Sequence, residues 1–228
     1  MSKSYLSGSR RFPMSMRKAA SGVAFFVALL VNALAATPAF AQGPALVEGT
    51  DYRIVKPVQP TEAPSGKVEV IEFFGYWCPH CHEFEPTMSD WSKRNEAKVS
   101  TSYVPIAFQS SMANLQKLYY ALDALGKEKE LRRKIFNAIH DERSLAATAD
   151  AGAIADWVAK NGIDKKKFID VFNSFSVQAK VNRANQIAKA YGVDAVPELG
   201  IAGKYLVNVQ ARTIGNADAM VARALKEK

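Results

Sequence analysis

Val68-Glu69-Val70-Ile71-Glu72-Phe73-Phe74-Gly75-Tyr76-Trp77-Cys78-Pro79-His80-Cys81 is the stretch on which the fold turns. Its first seven residues are rich in β-branched and aromatic types. The near-continuous apolar end suits a central strand buried on both faces, with one acid, Glu72, set within it. From Pro79 the pattern turns helical. Phe84, Met88 and Trp91 recur at i, i+4 and i+7, and Pro79 fits the first helical turn, where a missing N–H is tolerated. Both cysteines of the chain therefore lie at a strand-to-helix junction.

Working outward, Tyr52–Val55 reads as a short strand, and Pro57, Pro60, Pro64 and Gly66 punctuate a loop after it. Val99–Ala107 reads as another strand. Between about Ser110 and Phe175 the chain is predicted helical, with apolar stripes at Leu115/Leu118/Tyr119/Leu122, Leu131/Ile135/Ile139, Ile154/Trp157/Val158 and Phe168/Val171/Phe172/Phe175. Gly126 and Asn161-Gly162 mark helix ends. A longer stripe, Val177, Val181, Ala184, Ala188 and Tyr191, runs to Gly192. Val196-Pro197 follows, then a hairpin of Leu199–Ile201 and Tyr205–Val209 around Ala202-Gly203-Lys204, then a terminal helix over Asn216–Lys228. This order predicts an α/β sheet interrupted by an all-helical insertion.

The chain has 228 residues, 48% of them hydrophobic and 23% charged, which suits a packed core and excludes wholesale disorder. Two cysteines exclude a disulfide-stapled scaffold and a Cys-only zinc site. The formal charge of +8 is uneven: Lys3, Arg10, Arg11, Arg17 and Lys18 stand among the first 41 residues with no acid, leaving 25 bases against 22 acids afterwards. A nucleic-acid-binding reading loses its basis, because a phosphate-binding face needs clustered surplus charge in the folded part. The same 41 residues have the parts of a cleavable signal peptide: a basic start, an apolar stretch centred on Val23–Val31, and Ala39-Phe40-Ala41 before Gln42. Cleavage is expected after Ala41, which sends residues 42–228 to an exported, oxidising compartment, the periplasm. The runs Arg132-Arg133-Lys134 and Lys165-Lys166-Lys167 are read as solvated helix faces.

A two-residue spacing lets Cys78 and Cys81 cycle between dithiol and disulfide. Cys78 precedes the helix, where orphan amides and the positive dipole end favour a thiolate, and His80 can add a donor or a positive charge. Cys78 is thus expected to be the exposed nucleophile. Cys81, one turn inward, resolves the mixed disulfide. Three other readings share the residues: a static disulfide, c-type haem attachment through Cys78-Pro79-His80-Cys81-His82, and a metal site using Cys78, Cys81, His80 or His82. No cofactor beyond the redox-active disulfide is expected, and no metal.

Glu72-Phe73-Phe74, the Cys78-Pro79-His80-Cys81 tetrad, Phe84-Glu85, the helical block, and Val196-Pro197 with Gly203-Lys204-Tyr205 together resemble the DsbA family of periplasmic thiol:disulfide interchange proteins. The resemblance implies a thioredoxin-like fold over residues 42–109 and 176–228, with a helical insertion at 110–175. It implies a monomeric oxidoreductase that donates its disulfide to reduced, unfolded or partly folded exported proteins and is reoxidised by a DsbB-type membrane quinone reductase. By the same resemblance, Pro197 is a cis-proline facing the cysteines, and the Val196 backbone beside it hydrogen-bonds an extended substrate peptide. Glu72 matches the family's buried acid, placed to accept or relay the Cys81 proton. Several family members carry a lysine beside that acid on the following strand. Here Ser102 stands before Tyr103, so Glu72 is expected to lack that cationic partner. Alternatives remain a reductase or isomerase of the same fold and a peptide-binding chaperone whose cysteines are incidental.

Overall fold

The computed structural model describes residues 46–208 and 213–227. The signal peptide expected at 1–41, its expected cleavage site and Val209 lie outside the described residues. Strand β1 (Tyr52–Ile54) precedes β2 (Val68–Phe74), helix α1 (Pro79–Arg94) and β3 (Val99–Pro105). A 3₁₀ turn (Ser110–Met112) then leads into α2 (Ala113–Ala124), α3 (Glu128–His140), α4 (Ala151–Lys160), α5 (Lys165–Phe172) and α6 (Phe175–Tyr191). Strands β4 (Glu198–Ile201) and β5 (Tyr205–Asn208) and helix α7 (Thr213–Lys226) complete the chain.

The sheet runs β1-β5-β4-β2-β3, with β2 and β3 parallel and the other pairs antiparallel. All seven residues of β2 are buried, including Glu69 and Glu72, as the apolar run requires of a central strand. The period of two sends alternate residues to opposite faces. Val68 and Val70 pack with Met88 and Trp91 of α1 and with Met220 and Val221 of α7. Ile71 and Phe73 face the other way, into a core that takes in Tyr191 of α6 and the apolar stripes of α2 to α5. The expected α/β sheet with a helical insertion is the observed fold, and its sheet is mixed.

Helix ends follow local chemistry. Asp150, Asp164 and Ser174 accept backbone N–H bonds as caps of α4, α5 and α6. Gly192, at φ 69°, closes α6 in the left-handed conformation that glycine adopts without a Cβ clash. The Ser174 cap also corrects one expectation. It starts a new helix at Phe175, which is 89% exposed and does not extend the Phe168/Phe172 stripe. Strand β3 ends at Pro105, two residues before the expected end, and α7 begins three residues earlier than expected.

Candidate functional site

The site is built where β2 runs into α1. Gly75 carries the turn: a Cβ there would come within 2.4 Å of the Trp77 indole nitrogen. Trp77 is anchored by donating Nε1–H to the Ile106 carbonyl at 2.9 Å. The amide of Cys78 donates to Gly75 O at 3.0 Å, and the Cys78 carbonyl accepts from the His82 amide at 3.2 Å, which opens the helix. Cys78 is the residue just before α1 and has no side-chain cap bond, so Pro79 starts the helix and the amides of the first turn point towards the Cys78 sulfur.

The two sulfurs sit in different surroundings. Both are free thiols. Cys78 is 4% exposed and Cys81 wholly buried, which corrects the expectation of a solvent-facing nucleophile. The reason is tertiary: the segment leading into β4 closes over the helix start, and the Cys78 thiol lies 3.4 Å from the Val196 carbonyl oxygen. The Val196–Pro197 peptide bond is cis, and both residues are buried. A hydrogen bond from the Cys81 thiol pulls the Cys78 thiol down to about 6 against the opposing effect of burial, with help from the amides of Cys81 and His80 and the His80 charge. Burial pushes Cys81 far above the usual thiol range, reinforced by its bond to Cys78 and by the Cys78 and Glu72 charges. As a thiol Cys78 donates to Val196, and as a thiolate it accepts from its own helix start.

Glu72 lies on the same strand face as Val70 and is wholly buried. Its carboxyl is pushed up to about 8, first by burial and then by the neighbouring Glu85, Glu128 and Cys78, against the pull of Arg132. The cationic partner expected to be missing is present. Ser102 pairs with Ile71 rather than Glu72, and Glu72 lies opposite Tyr103. The cation comes from α3, where Arg132 Nη2 reaches Glu72 at 3.3 Å, Nε reaches Glu85 at 2.6 Å and Nη1 reaches Glu128 at 3.3 Å. The guanidinium carbon stands 3.9 Å from the Tyr103 ring centre and 4.1 Å from that of Phe74. Tyr76 adds a hydroxyl bond to Glu128 at 3.0 Å. Arg132 is only 4% exposed, so the Arg132-Arg133-Lys134 run is not wholly a solvated face. Lys165, Lys166 and Lys167 are exposed as expected.

His80 is exposed, 3.5 Å from Glu83. His82 stacks on His140 with ring centres 5.2 Å apart and contacts Asn137 at 3.2 Å. Among the described residues no group of three or more His, Cys, Asp or Glu is placed to hold a metal ion. The structure thus gathers Glu72, Cys78, Pro79, Cys81, Val196 and Pro197 at one end of β2, with His80 on the outer surface. The sequence reading missed Arg132, Glu85 as a charge partner, Glu128 and Tyr76. One signal was present: Glu128 and Arg132 stand four apart and, with Ile135 and Ile139, extend the buried stripe of α3.

Comparison with known proteins agrees with this geometry. A family model described as DSBA-like thioredoxin domain matches residues 69–219. A thiol:disulfide interchange protein DsbA of Burkholderia cepacia is 46% identical over 177 residues, covering 78% of this chain and 82% of the relative. The same-named protein of Pseudomonas aeruginosa is 34% identical over 169 residues, covering 74% and 79%. Among solved structures, oxidoreductase DsbA of Xylella fastidiosa superposes with a TM-score of 0.73 at 30% identity, covering 78% of this chain and 97% of that one.

Proposed function

Because the chain belongs to the DSBA-like thioredoxin-domain family and is a protein thiol:disulfide oxidoreductase, we propose that it donates a Cys78–Cys81 disulfide to newly exported proteins in the periplasm. The observation that carries the assignment of residues is the asymmetry of the two thiols, Cys78 held at about 6 and Cys81 far above the ordinary thiol range. A substrate thiolate attacks Cys78 of the disulfide, the S–S bond breaks, and Cys81 leaves with the electron pair and takes up a proton. The substrate's second thiolate then attacks the mixed disulfide and releases Cys78 as a thiolate, the better leaving sulfur. The substrate loses two electrons and the enzyme gains them.

Glu72, at about 8, is mainly protonated near neutral pH and supplies the Cys81 proton. Val196 and the cis Pro197 form the wall against which an extended substrate segment pairs, Pro79 begins the helix behind Cys78, and the His80 amide and charge favour the Cys78 thiolate. Residues 42–109 and 176–228 form the thioredoxin-like part and 110–175 the helical insertion, acting as a monomer. Residues 1–41 direct export and are removed. A DsbB-type membrane quinone reductase restores the disulfide, and no metal or organic cofactor takes part. The test is the redox equilibrium of Cys78 and Cys81 with glutathione. A donor stays largely reduced until oxidised glutathione is in strong excess, whereas a pair oxidised by traces of it marks a reductase or a static disulfide.

A further inference from the structure

We propose that Arg132, brought by helix α3, is a positioning residue for this exchange: its guanidinium, divided among Glu72, Glu85 and Glu128, keeps Glu72 able both to give and to take the Cys81 proton. The inference rests on the reading of Cys78 and Cys81 as the exchanging pair.

Four observations carry it. Arg132 is, among the described residues, the one cation within ion-pair distance of Glu72, and it is buried with it. Its closest contact is not with Glu72 but with Glu85, at 2.6 Å against 3.3 Å. The guanidinium therefore favours the Glu72 carboxylate without tying down both of its oxygens. Glu72 Oε1 is buried and has no hydrogen-bond partner, which leaves a lone pair available for a proton. The rings of Phe74 and Tyr103 flank the guanidinium, so its place is set by packing as well as by charge.

Exchange needs both abilities. When the disulfide is donated, Cys81 leaves as a sulfur anion and takes the proton from Glu72. When the pair is reoxidised by a small disulfide such as oxidised glutathione, the Cys78 thiolate attacks it and expels one glutathione thiolate. The Cys81 S–H bond then breaks, its proton goes to Glu72 Oε1, and its sulfur attacks Cys78 and expels the second thiolate. Two electrons pass from the cysteines to glutathione. One guanidinium facing three carboxyl groups cannot hold all of them ionised. Without it, burial and the two neighbouring acids would leave Glu72 protonated far into the alkaline range. Such an acid still donates but no longer accepts, so loss of Arg132 should impair the two directions unequally.

Closure of the Cys78–glutathione mixed disulfide can be followed in the folded protein from pH 5.5 to 9.5 by acid quench, alkylation and mass spectrometry. In the wild type, closure should accelerate with pH and level off near 8. Arg132→Met should slow closure at pH 7 about tenfold or more, one pH unit of displacement being a factor of ten in the ionised fraction. Donation to a reduced peptide should stay within about threefold of wild type. Arg132→Lys should restore the profile to within about half a pH unit. Glu128→Gln, which keeps the cation and removes a competing acid, should move the profile towards acid pH, a test that stands whether or not Arg132→Met folds. In a Glu72→Gln background, Arg132→Met should add nothing to the profile. An unmoved profile in folded Arg132→Met, a displacement of equal size in the Glu72→Gln background, or an unmoved profile in Glu128→Gln overturns the assignment. Failure of the wild type itself to pass its disulfide to the peptide overturns the functional reading instead.

Discussion

The Cys78 sulfur lies 3.4 Å from the carbonyl oxygen of Val196, a residue 118 positions later in the chain. The contact joins the helix start to the segment entering β4 and puts the reactive sulfur beneath a cis Val196–Pro197 bond rather than in open solvent. Cys78 is still the more accessible of the two, since Cys81 is wholly covered.

Replacement of each cysteine should therefore give opposite results. Cys81→Ser keeps the attackable sulfur and removes the resolving one, so mixed disulfides with exported proteins should accumulate. Cys78→Ser should trap none. Non-reducing gels of whole periplasm read both, and trapping by Cys78→Ser would reverse the assignment of roles.

The stability difference between the reduced and oxidised forms should depend on pH. Cys78 titrates at about 6 when folded and at roughly 8.5 when unfolded. Its pKa is lowered by folding, so the stabilisation is complete above the unfolded value and is lost as pH falls through the folded one. It belongs to the reduced form alone. At about 1.36 kcal/mol per unit it is on the order of 1 kcal/mol at pH 7 and roughly 2–3 kcal/mol at pH 8. Glu72 is present in both forms and largely cancels in the difference. Denaturant unfolding of both forms at pH 4, 7 and 8 measures it, and a gap that stays constant would remove the stabilised thiolate.

Glu72→Gln should stabilise the reduced protein at pH 8 and not at pH 4. Folding raises this carboxyl to about 8 from roughly 4.3. The penalty is absent below the unfolded value and grows as pH rises towards the folded one. A gain on the order of 1–3 kcal/mol at pH 8 is expected, reduced from the full linkage value because Arg132 loses part of its pairing. Equal stabilities of variant and wild type across this range would mean that Glu72 is not held neutral.

Phe172→Ala and Phe175→Ala should separate, although the two residues are three apart. Phe172 is 1% exposed and Phe175 89% exposed. The first truncation should cost about 3–5 kcal/mol and the second no more than about 0.5. Comparable losses in urea unfolding would place Phe175 back in the core.

The strand-to-helix junction, the pairing of Cys78 with Cys81, the helical block and the closing hairpin are all legible in the sequence. Their signals are local: the period of two in β2, the period of 3.6 in α1 to α6, the fixed φ of Pro79, and the glycines at helix ends. The four residues that set the electrostatics beneath the cysteines are not. Arg132 stands 60 positions from Glu72 and 47 from Glu85, and its triplet with Arg133 and Lys134 resembles any solvated run. Whether a charged side chain is buried depends on what other elements bring to meet it, because burial of a charge is tolerated only with partners in place. Periodicity says which face of α3 turns inward and puts Glu128 one turn before Arg132; only the packing of α3 against β2 and α1 determines that Glu72 and Glu85 meet the same guanidinium. The covering of Cys78 by Val196 is likewise tertiary. A helix start leaves its amides unpaired wherever it occurs, but the segment that closes over it arrives from beyond the whole helical block.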